Sequence, residues 1–344
     1  MAAPPSLLEA LVSVVAPLPV TKPDNYANEG YVARYPTSSP LLTYLLMKPT
    51  RPLIQQPIGD GAFGGSVIGQ AILAAYATVP DDFDLYSSQS SFLRPVKASR
   101  TVVYRVEHTA DGRSYCTRVV RATQSEGGPW LFVSILSFQK RKPRRTMAVE
   151  GGTDHNNGLT FADAMPDMEG FAPRDLPGQG WKQMSFQIGE EKLKRMGVEA
   201  DDPFEWRLLP FTKSGFSGGP SQTRIRGYVR ANNASTPLTL SDPVNLASMA
   251  LLSDQSLFEL SLFQNWDSIP REWRELAMTI SLNSRISFHD PTARVEEWMV
   301  CESRISWGAD GRLSAEQRFW NRETGELLMT STQDVVVSRP KPRL

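Results

Sequence analysis

Asp254 combines an ionisable side chain with surroundings that do not suit it. At helical spacing, its nearest neighbours on both sides are apolar. These neighbours are Ala250, Leu251, Leu257 and Phe258. A carboxylate among such residues is unfavourable unless a partner stabilises it, or unless its pKa is raised so that it can act as a base. The pattern therefore makes Asp254 a candidate general base.

Two polar residues farther along the chain are candidate partners of Asp254. Ser281 begins a strand pattern, and Gln333 lies near the middle of the last strand pattern. Taken singly, each is an ordinary polar residue of a strand. A structural role for Asp254 also stays open, because Ser256 and Glu259 have capping-box spacing and a new helical segment can be capped here.

Gly64 and Gly65 offer a second kind of chemistry at the start of an apolar helical pattern. The N–H groups at a helix N-terminus are unpaired and carry the positive end of the dipole, so they can hold a carbonyl oxygen or a phosphate. The alternative is that the glycines only permit a tight entry turn and close packing, because a glycine pair before a helix is not a specific signal.

Composition excludes several other kinds of site. Cys116 and Cys301 are far apart and lack metal-ligand spacing, so we expect buried thiols and neither a disulfide framework nor a zinc site. The 37 basic and 37 acidic residues balance, which gives no electrostatic case for nucleic acid. The stretch 1–20 is broken by four prolines and predicts neither a signal peptide nor a membrane span.

The three histidines do not suggest a competing mechanism. His108 lies beside a predicted hairpin turn and His155 lies in a linker-like stretch, so both are expected to face solvent. His289 follows Ser281 in the same strand pattern and is a candidate lining residue of the binding pocket. A hydratase would need a histidine paired with the acid on the same helix, and the region after Asp254 contains none.

The elements that must position these residues occur twice. Residues 91–139 and 287–337 have the same order of strand patterns, and each stretch contains an Asp-Gly turn that predicts an antiparallel hairpin. A helical pattern precedes each meander, at 64–79 and at 243–263. We therefore predict a duplicated domain, with an N-terminal domain at 1–140, a linker at 141–202 and a C-terminal domain at 203–344.

The ordered motifs of both halves resemble the type II acyl-CoA thioesterases, a double-hotdog family with bacterial and peroxisomal members. The matching pieces are Phe-Gly-Gly-Ser-Val-Ile-Gly-Gln-Ala at 63–71, Ser-Phe-Leu-Arg-Pro at 91–95, Asp-Gly-Arg-Ser at 111–114, Leu-Ser-Asp at 252–254, Ser-Phe-His at 287–289, and Gln333. The resemblance implies an α+β double hotdog, with two antiparallel sheets each wrapped around a long helix. It also implies that Asp254, Ser281 and Gln333 form the catalytic set.

Hydrolysis of acyl-CoA without metal or cofactor is the function that this resemblance implies. Asp254 would accept a proton from water that Ser281 and Gln333 orient. We assign the substrate contacts to Gly64, Gly65, Gln89 and His289. No covalent intermediate is then required.

The chain departs from the family pattern at two places. Gln89 stands where relatives commonly have histidine, and Asn283-Ser284 stands where they have an Asp-His pair. The alternative is therefore an acyl-CoA-binding or specialised-pathway protein with altered acyl transfer, elimination or no catalytic activity. Turnover of a panel of CoA esters separates the two.

The last residues of the chain bear on its cellular location, and the edges of the predicted sheets bear on its oligomeric state. The final tripeptide Pro342-Arg343-Leu344 is a loose version of the peroxisomal import signal, with proline in the small-residue position. We expect a peroxisomal protein, or a cytoplasmic one if this tail is not read. Pairing of sheet edges predicts a homo-oligomer.

Overall fold

A computed structural model of the chain describes residues 14–17, 44–49, 61–125, 127–141, 153–154, 158–159, 161–178, 204–210, 220–231, 240–254 and 278–338. The α-helices in these ranges are α1 (Gly64–Tyr76) and α2 (Asp242–Asp254), and short 3-10 turns lie at Pro173–Asp175 and Pro220–Gln222. The strands of the first half are β1 (Val14–Pro17), β2 (Tyr44–Pro49), β3 (Phe83–Phe92), β4 (Val103–Asp111), β5 (Tyr115–Thr123) and β6 (Phe132–Lys140). A two-residue pair follows, β7 (Thr153–Asp154) and β8 (Gly158–Leu159). The second half contains β9 (Phe204–Leu208), β10 (Ile225–Ala231), β11 (Met278–Phe288), β12 (Met299–Ala309), β13 (Arg312–Asn321) and β14 (Leu327–Ser338).

Both halves of the chain build the same six-stranded sheet. The order β1-β2-β4-β5-β6-β3 in the first half is repeated as β9-β10-β12-β13-β14-β11 in the second. All neighbouring strands are antiparallel, and β3 pairs with β11, so the two predicted sheets join into one sheet of twelve described strands. The predicted α+β double hotdog is confirmed, and the continuous sheet is a feature that the sequence patterns did not reveal.

The predicted Asp-Gly turns close hairpins in both halves. Asp310 and Gly311 join β12 to β13, with φ angles of 51° and 72°. Positive φ at both central residues is the conformation that a two-residue hairpin turn requires, and glycine adopts it without strain. The corresponding turn between β4 and β5 is longer, and the Gly112 N–H donates to the Tyr115 carbonyl at 2.9 Å.

Helix α1 is buried along its whole apolar face. Its buried small and branched residues are Val67, Ile68, Ala71, Ile72, Ala74 and Ala75. The helix ends at Tyr76, three residues before the predicted end at 79, and Pro80 follows the last turn. Pro80 has no N–H to donate to the Tyr76 carbonyl and restricts the dihedrals of Val79, so the helix does not reach its predicted end. The predicted continuation of α2 over 255–263 lies outside the described residues.

Part of the predicted linker packs against the outer face of the second half. Met168 and Leu176 are buried against Tyr228, Val300 and Trp320. The strand neighbours of these three residues belong to the core on the other face, so the alternation of strands places the segment on the side away from α2. Among the aromatic residues of this linker, Phe171 is partly buried, Phe161 is 75% exposed, and Trp181 and Phe186 lie outside the described residues.

The residues that the sequence set aside as non-catalytic occupy ordinary positions. Cys116 and Cys301 are buried and free, and burial raises the pKa of both thiols. His108 is partly exposed, with Nδ1 at 3.4 Å from an Asp111 carboxylate oxygen. His155 lies outside the described residues.

Candidate active site

Asp254 lies at the C-terminal end of α2, where this helix meets the start of α1. The Gly65 N–H donates a 2.6 Å hydrogen bond to Asp254 Oδ2. A Cβ atom on Gly65 would lie 2.8 Å from Asp254 Cβ and 2.8 Å from the Leu251 backbone, too close for any other residue without movement. Glycine therefore permits this approach, and the unpaired N–H of the helix start supplies a donor to a buried carboxylate.

Ser281 and Gln333 contact the other carboxylate oxygen of Asp254. The Ser281 hydroxyl donates to Oδ1 at 3.2 Å, and Gln333 Nε2 donates to Oδ1 at 2.6 Å. Gln333 Nε2 also donates to Ser281 Oγ at 2.7 Å. The three side chains, from α2, β11 and β14, therefore form a closed triangle of hydrogen bonds.

A β-bulge turns Ser281 toward this triangle. The register between β11 and β14 shifts between Ser281, which pairs with Val335, and Asn283, which pairs with Asp334. Ser284 and the alternate residues after it point to the buried inner face, so a regular strand would turn Ser281 outward. The extra residue reverses the alternation, and the side chain of Ser281 reaches Asp254.

Burial sets the electrostatic state of the site. It raises the pKa of the Asp254 carboxyl above its ordinary value, and this is the largest effect on that group. Hydrogen bonds from four donors lower this pKa but do not cancel the rise: Gly65, Gln333, Ser281 and Gly64. A carboxylate with a raised pKa binds a proton more readily, which is the property that a general base requires.

The glycines at the start of α1 belong to the first half of the chain but contact a residue of the second half. Gly64 and Gly65 begin α1 of the first half, yet they contact Asp254 of α2. The reason is that the start of α1 packs against the end of α2. The Gly65 amide is occupied by the carboxylate, so it positions the acid.

The equivalent place in the first half lacks these groups. Tyr76 is the thirteenth residue of α1, and Asp254 is the thirteenth residue of α2. The strand registers align Ser281 with Leu85 and Gln333 with Leu136, and both halves have a bulge at the same place in β3 and β11. The position equivalent to Gly65 is Pro243, which has no N–H to donate.

Two predicted substrate contacts lie apart from this cluster. Gln89 is exposed between the buried residues Ser88 and Ser90, so it points to the outer face of the sheet. His289 is exposed just after β11, with its Nε2 3.1 Å from Thr330 Oγ1. Eight residues separate His289 from Ser281, or about 26 Å along a strand. The structure therefore brings together Asp254, Ser281, Gln333, Gly64 and Gly65, but neither Gln89 nor His289.

The second departure from the family pattern has a different outcome for each residue. Asn283 is exposed, and its Nδ2 donates to Asp334 at 3.0 Å on the outer face. Ser284 is buried directly opposite Gln333, so it belongs to the inner face beside the triangle. Sequence reasoning missed this placement because the bulge that sets it has no distinctive residue pattern.

Two family profiles match the chain across both halves. The acyl-CoA thioesterase N-terminal domain matches residues 52–139, and the acyl-CoA thioesterase C-terminal domain matches residues 173–337. Together the matches cover most of the chain and follow the order of the two halves. The chain belongs to the type II acyl-CoA thioesterase family. It is an acyl-CoA thioester hydrolase.

Relatives of this thioesterase occur in animals and fungi. Acyl-coenzyme A thioesterase 8 of Rattus norvegicus is 26% identical over 296 residues, which cover 84% of this chain and 83% of the relative. Peroxisomal acyl-coenzyme A thioester hydrolase 1 of Saccharomyces cerevisiae is 28% identical over 125 residues, which cover 36% of this chain and 32% of the relative.

Solved structures show that this thioesterase shares its fold with bacterial proteins. An acyl-CoA thioesterase II from Mycobacterium marinum has a TM-score of 0.63 and 22% identity, covering 89% of this chain and 97% of that one. A hot dog fold protein of unknown function from Alicyclobacillus acidocaldarius has a TM-score of 0.59 and 16% identity, covering 87% and 94%. Among the described residues of this thioesterase, neither helix is long and apolar enough to cross a membrane.

Proposed function

We propose that the hydrolysis of acyl-CoA proceeds by attack of a water molecule that Asp254 activates. Ser281 and Gln333 would hold this water and the carboxylate in one arrangement, because both already donate to Asp254 Oδ1. The amides at the start of α1 would keep the other carboxylate oxygen fixed. Pre-set geometry of this kind lowers the barrier by removing the need to order the reacting groups.

The proposed reaction has two steps. Water attacks the thioester carbonyl carbon while its proton passes to Asp254, and a tetrahedral intermediate forms. The carbon–sulfur bond then breaks, the proton passes from Asp254 to the leaving thiolate, and free CoA and a carboxylic acid result. The acid ionises in water. Asp254 returns to its starting state, and no covalent enzyme intermediate is formed.

One observation carries this proposal. Residues separated by 27 and 79 positions from Asp254 converge on one of its oxygens in the interior of the molecule. A cap would need only the local backbone, whereas Asp254 contacts two strands and the other helix. Buried carboxylates with several convergent partners and a raised pKa are typical of catalytic sites.

Asp254→Asn tests the proposal directly. The amide has nearly the same shape but cannot take a proton, so turnover of the best CoA ester should fall by at least about a hundredfold. Asparagine fits the site, because its oxygen can accept from Gly65 while its amide donates to a rotated Gln333. Steady-state hydrolysis and circular dichroism are the measurements. Near-normal turnover in a folded variant would show that Asp254 is structural.

Ser281→Ala and Gln333→Ala test the shared water. Each should lower kcat with little change in KM, because both residues are proposed to act on water and not on the ester. The double variant should lose less than the product of the single losses, because the two side chains hydrogen bond to each other and to one carboxylate oxygen. Simple additivity would argue against a common water.

We propose a peroxisomal location on two observations. The yeast relative carries the word peroxisomal in its name, and the chain has basic and leucine residues in its final two positions. Fatty acyl-CoA esters would then be the substrates met in that compartment. The tail lies outside the described residues, so the second observation is one of sequence.

A further inference from the structure

We propose, resting on the function proposed above, that the acyl pocket of this thioesterase binds an acyl group that carries a hydroxyl near its thioester end. The residues that select this group are Gln317 and Ser303. Both lie on the inner face of the second half, beside the catalytic triangle. Their side chains carry polar atoms that the described part of the chain leaves without a partner.

Register places these residues next to Gln333. Ser303 on β12 pairs with Gln317 on β13, and Gln317 pairs with Ser331 on β14. Gln333 follows Ser331 by two residues on the same face, so Gln317 and Gln333 are diagonal neighbours at about 7–8 Å. Gln317 therefore lies one strand away from Gln333, the side chain that contacts Asp254, and Ser303 lies two strands away.

The missing hydrogen bonds are the observation that points to a ligand. Gln317 Oε1 and Ser303 Oγ have no hydrogen-bond partner within the described residues, although Gln317 is only 4% exposed and Ser303 only 1%. A buried polar atom without a partner is unfavourable, and native structures rarely keep one without water or a ligand to satisfy it. A third such hydroxyl, that of Ser248, lies on α2, which packs on this face.

Serines of the first half show what a purely structural arrangement looks like. Ser90 donates to Ser134 at 3.0 Å on the inner face of β3 and β6, and Ser88 lies 3.4 Å from Ser134. All three are buried, and they satisfy one another. The polar residues of the second half are equally buried but are not paired in this way.

Depth separates the acyl side of the site from the CoA side. Ser281 is partly exposed, Gln333 is 6% exposed, Gln317 is 4% exposed and Ser303 is 1% exposed. CoA is large and charged and must remain on the solvent side, so the deeper residues face the acyl group. The free oxygen of Gln317 is an acceptor, and its missing partner must donate. A hydroxyl donates, whereas a saturated or keto chain does not.

The experiment compares 3-hydroxyacyl, 3-oxoacyl and saturated acyl-CoA esters of equal chain length. The wild-type enzyme should show a kcat/KM about tenfold higher for the hydroxy ester, the ratio expected for one hydrogen bond between neutral groups. Gln317→Met should remove this preference by slowing the hydroxy ester and not the saturated one. Ser303→Ala should reduce it in the same direction.

Control variants and a binding measurement keep the test decisive. Ser134→Ala removes a buried hydroxyl whose partners are satisfied in the first half, and it should leave the preference unchanged. The inhibition constants of the hydroxylated and the saturated product acids give the same comparison for binding alone, without the hydrolysis step. If Gln317→Met fails to fold, Ser303→Ala carries the test. Thermal unfolding of Ser303→Ala should show little loss, because the hydroxyl that it removes lacks a partner in the described part of the chain.

The outcomes separate this inference from the proposed function. Two results would overturn the inference: equal kcat/KM for hydroxy and saturated esters in the wild type, or a preference that survives both variants. Either result would indicate that Gln317 and Ser303 bind only internal water. An Asp254→Asn variant that keeps its activity would overturn the proposed mechanism. In that case, the preference in product inhibition would still decide whether Gln317 recognises a hydroxyl.

Discussion

Asp254 is held between two opposing effects. Burial in an apolar core disfavours its charge, and hydrogen bonds from two side chains and the start of a helix favour it. Burial is the larger effect, and it raises the pKa of the carboxyl. The site thus keeps a carboxylate that is oriented by its donors and more basic than an exposed one.

The pH dependence of stability and activity should reflect this raised pKa. In the unfolded chain, Asp254 titrates near its ordinary value of 3.8. The folded state binds the proton more tightly, so the free energy of unfolding of the wild type should rise relative to Asp254→Asn as the pH falls from the folded pKa toward 3.8. Turnover should fall over the same range, because the base becomes protonated.

Chemical denaturation of both proteins across this pH range is the measurement. Asparagine does not titrate, so the difference between the two curves isolates the contribution of Asp254. A wild type that loses stability relative to the variant on acidification would mean that the donors outweigh burial and that the pKa is lowered.

At the scale of elements, two irregular features assemble the site. The bulge in β11 turns Ser281 to the inner face, and the start of α1 packs against the end of α2. Each feature fixes the position of one residue in the hydrogen-bonded cluster around Asp254. The start of α1 lies so close to α2 that a Cβ on Gly65 would meet backbone atoms of α2. Glycine is therefore required at this position.

Gly65→Ala should separate the two helices and disturb the base. The added Cβ would lie 2.8 Å from the Leu251 backbone and from Asp254 Cβ, and backbone atoms cannot rotate away. We expect a loss of about 1–3 kcal/mol in the free energy of unfolding, together with reduced kcat. Denaturant unfolding and steady-state kinetics measure the two effects.

Two other glycines provide graded controls for this substitution. Gly64→Ala would meet the ends of side chains, Asp254 Oδ2 at 2.9 Å and Phe92 Cζ at 3.0 Å, so it should cost less stability. Gly178→Ala would meet atoms no nearer than 3.8 Å on the outer face and should change neither quantity. Equal effects from Gly65→Ala and Gly178→Ala would contradict a role for close helix packing.

The two halves of the molecule share one architecture but differ at the position of Asp254. Both halves have the same strand order, a bulge at the same position and a 13-residue helix. The second half has the carboxylate of Asp254 at the thirteenth helix position, while Tyr76 occupies that position in the first half. The first half still contributes the Gly65 amide, so the hydrogen-bonded cluster around Asp254 contains residues of both halves. Assembly through the sheet edges stays a prediction.

Peroxisomal import of the whole protein can be tested with its last residues. A fluorescent protein that ends in residues 339–344 should collect in peroxisomes, because the import receptor reads an exposed C-terminal tail. Removal of Leu344 should return it to the cytosol. Diffuse fluorescence with the intact tail would indicate that Pro342 prevents recognition and that the enzyme is cytoplasmic.

The sequence by itself determined the fold class and the chemical character of the site. The repeated order of strand patterns, Asp-Gly turns and helical patterns predicted a duplicated domain, because these features depend on local geometry, and the family resemblance implied the double hotdog. Asp254 stood out because a carboxylate among apolar neighbours is costly at any position. The resemblance added Ser281 and Gln333, which single strands do not distinguish from structural residues.

Only the tertiary structure decided which groups meet. Gly65 lies 189 residues from Asp254 and appeared to belong to another domain, whereas helix packing makes it a donor to that carboxylate. Gln89 and His289 matched positions of interest but point outward or lie at the far end of a strand. Which face a strand residue occupies depends on one-residue shifts such as the bulge before Asn283, and such shifts are set by packing across the sheet.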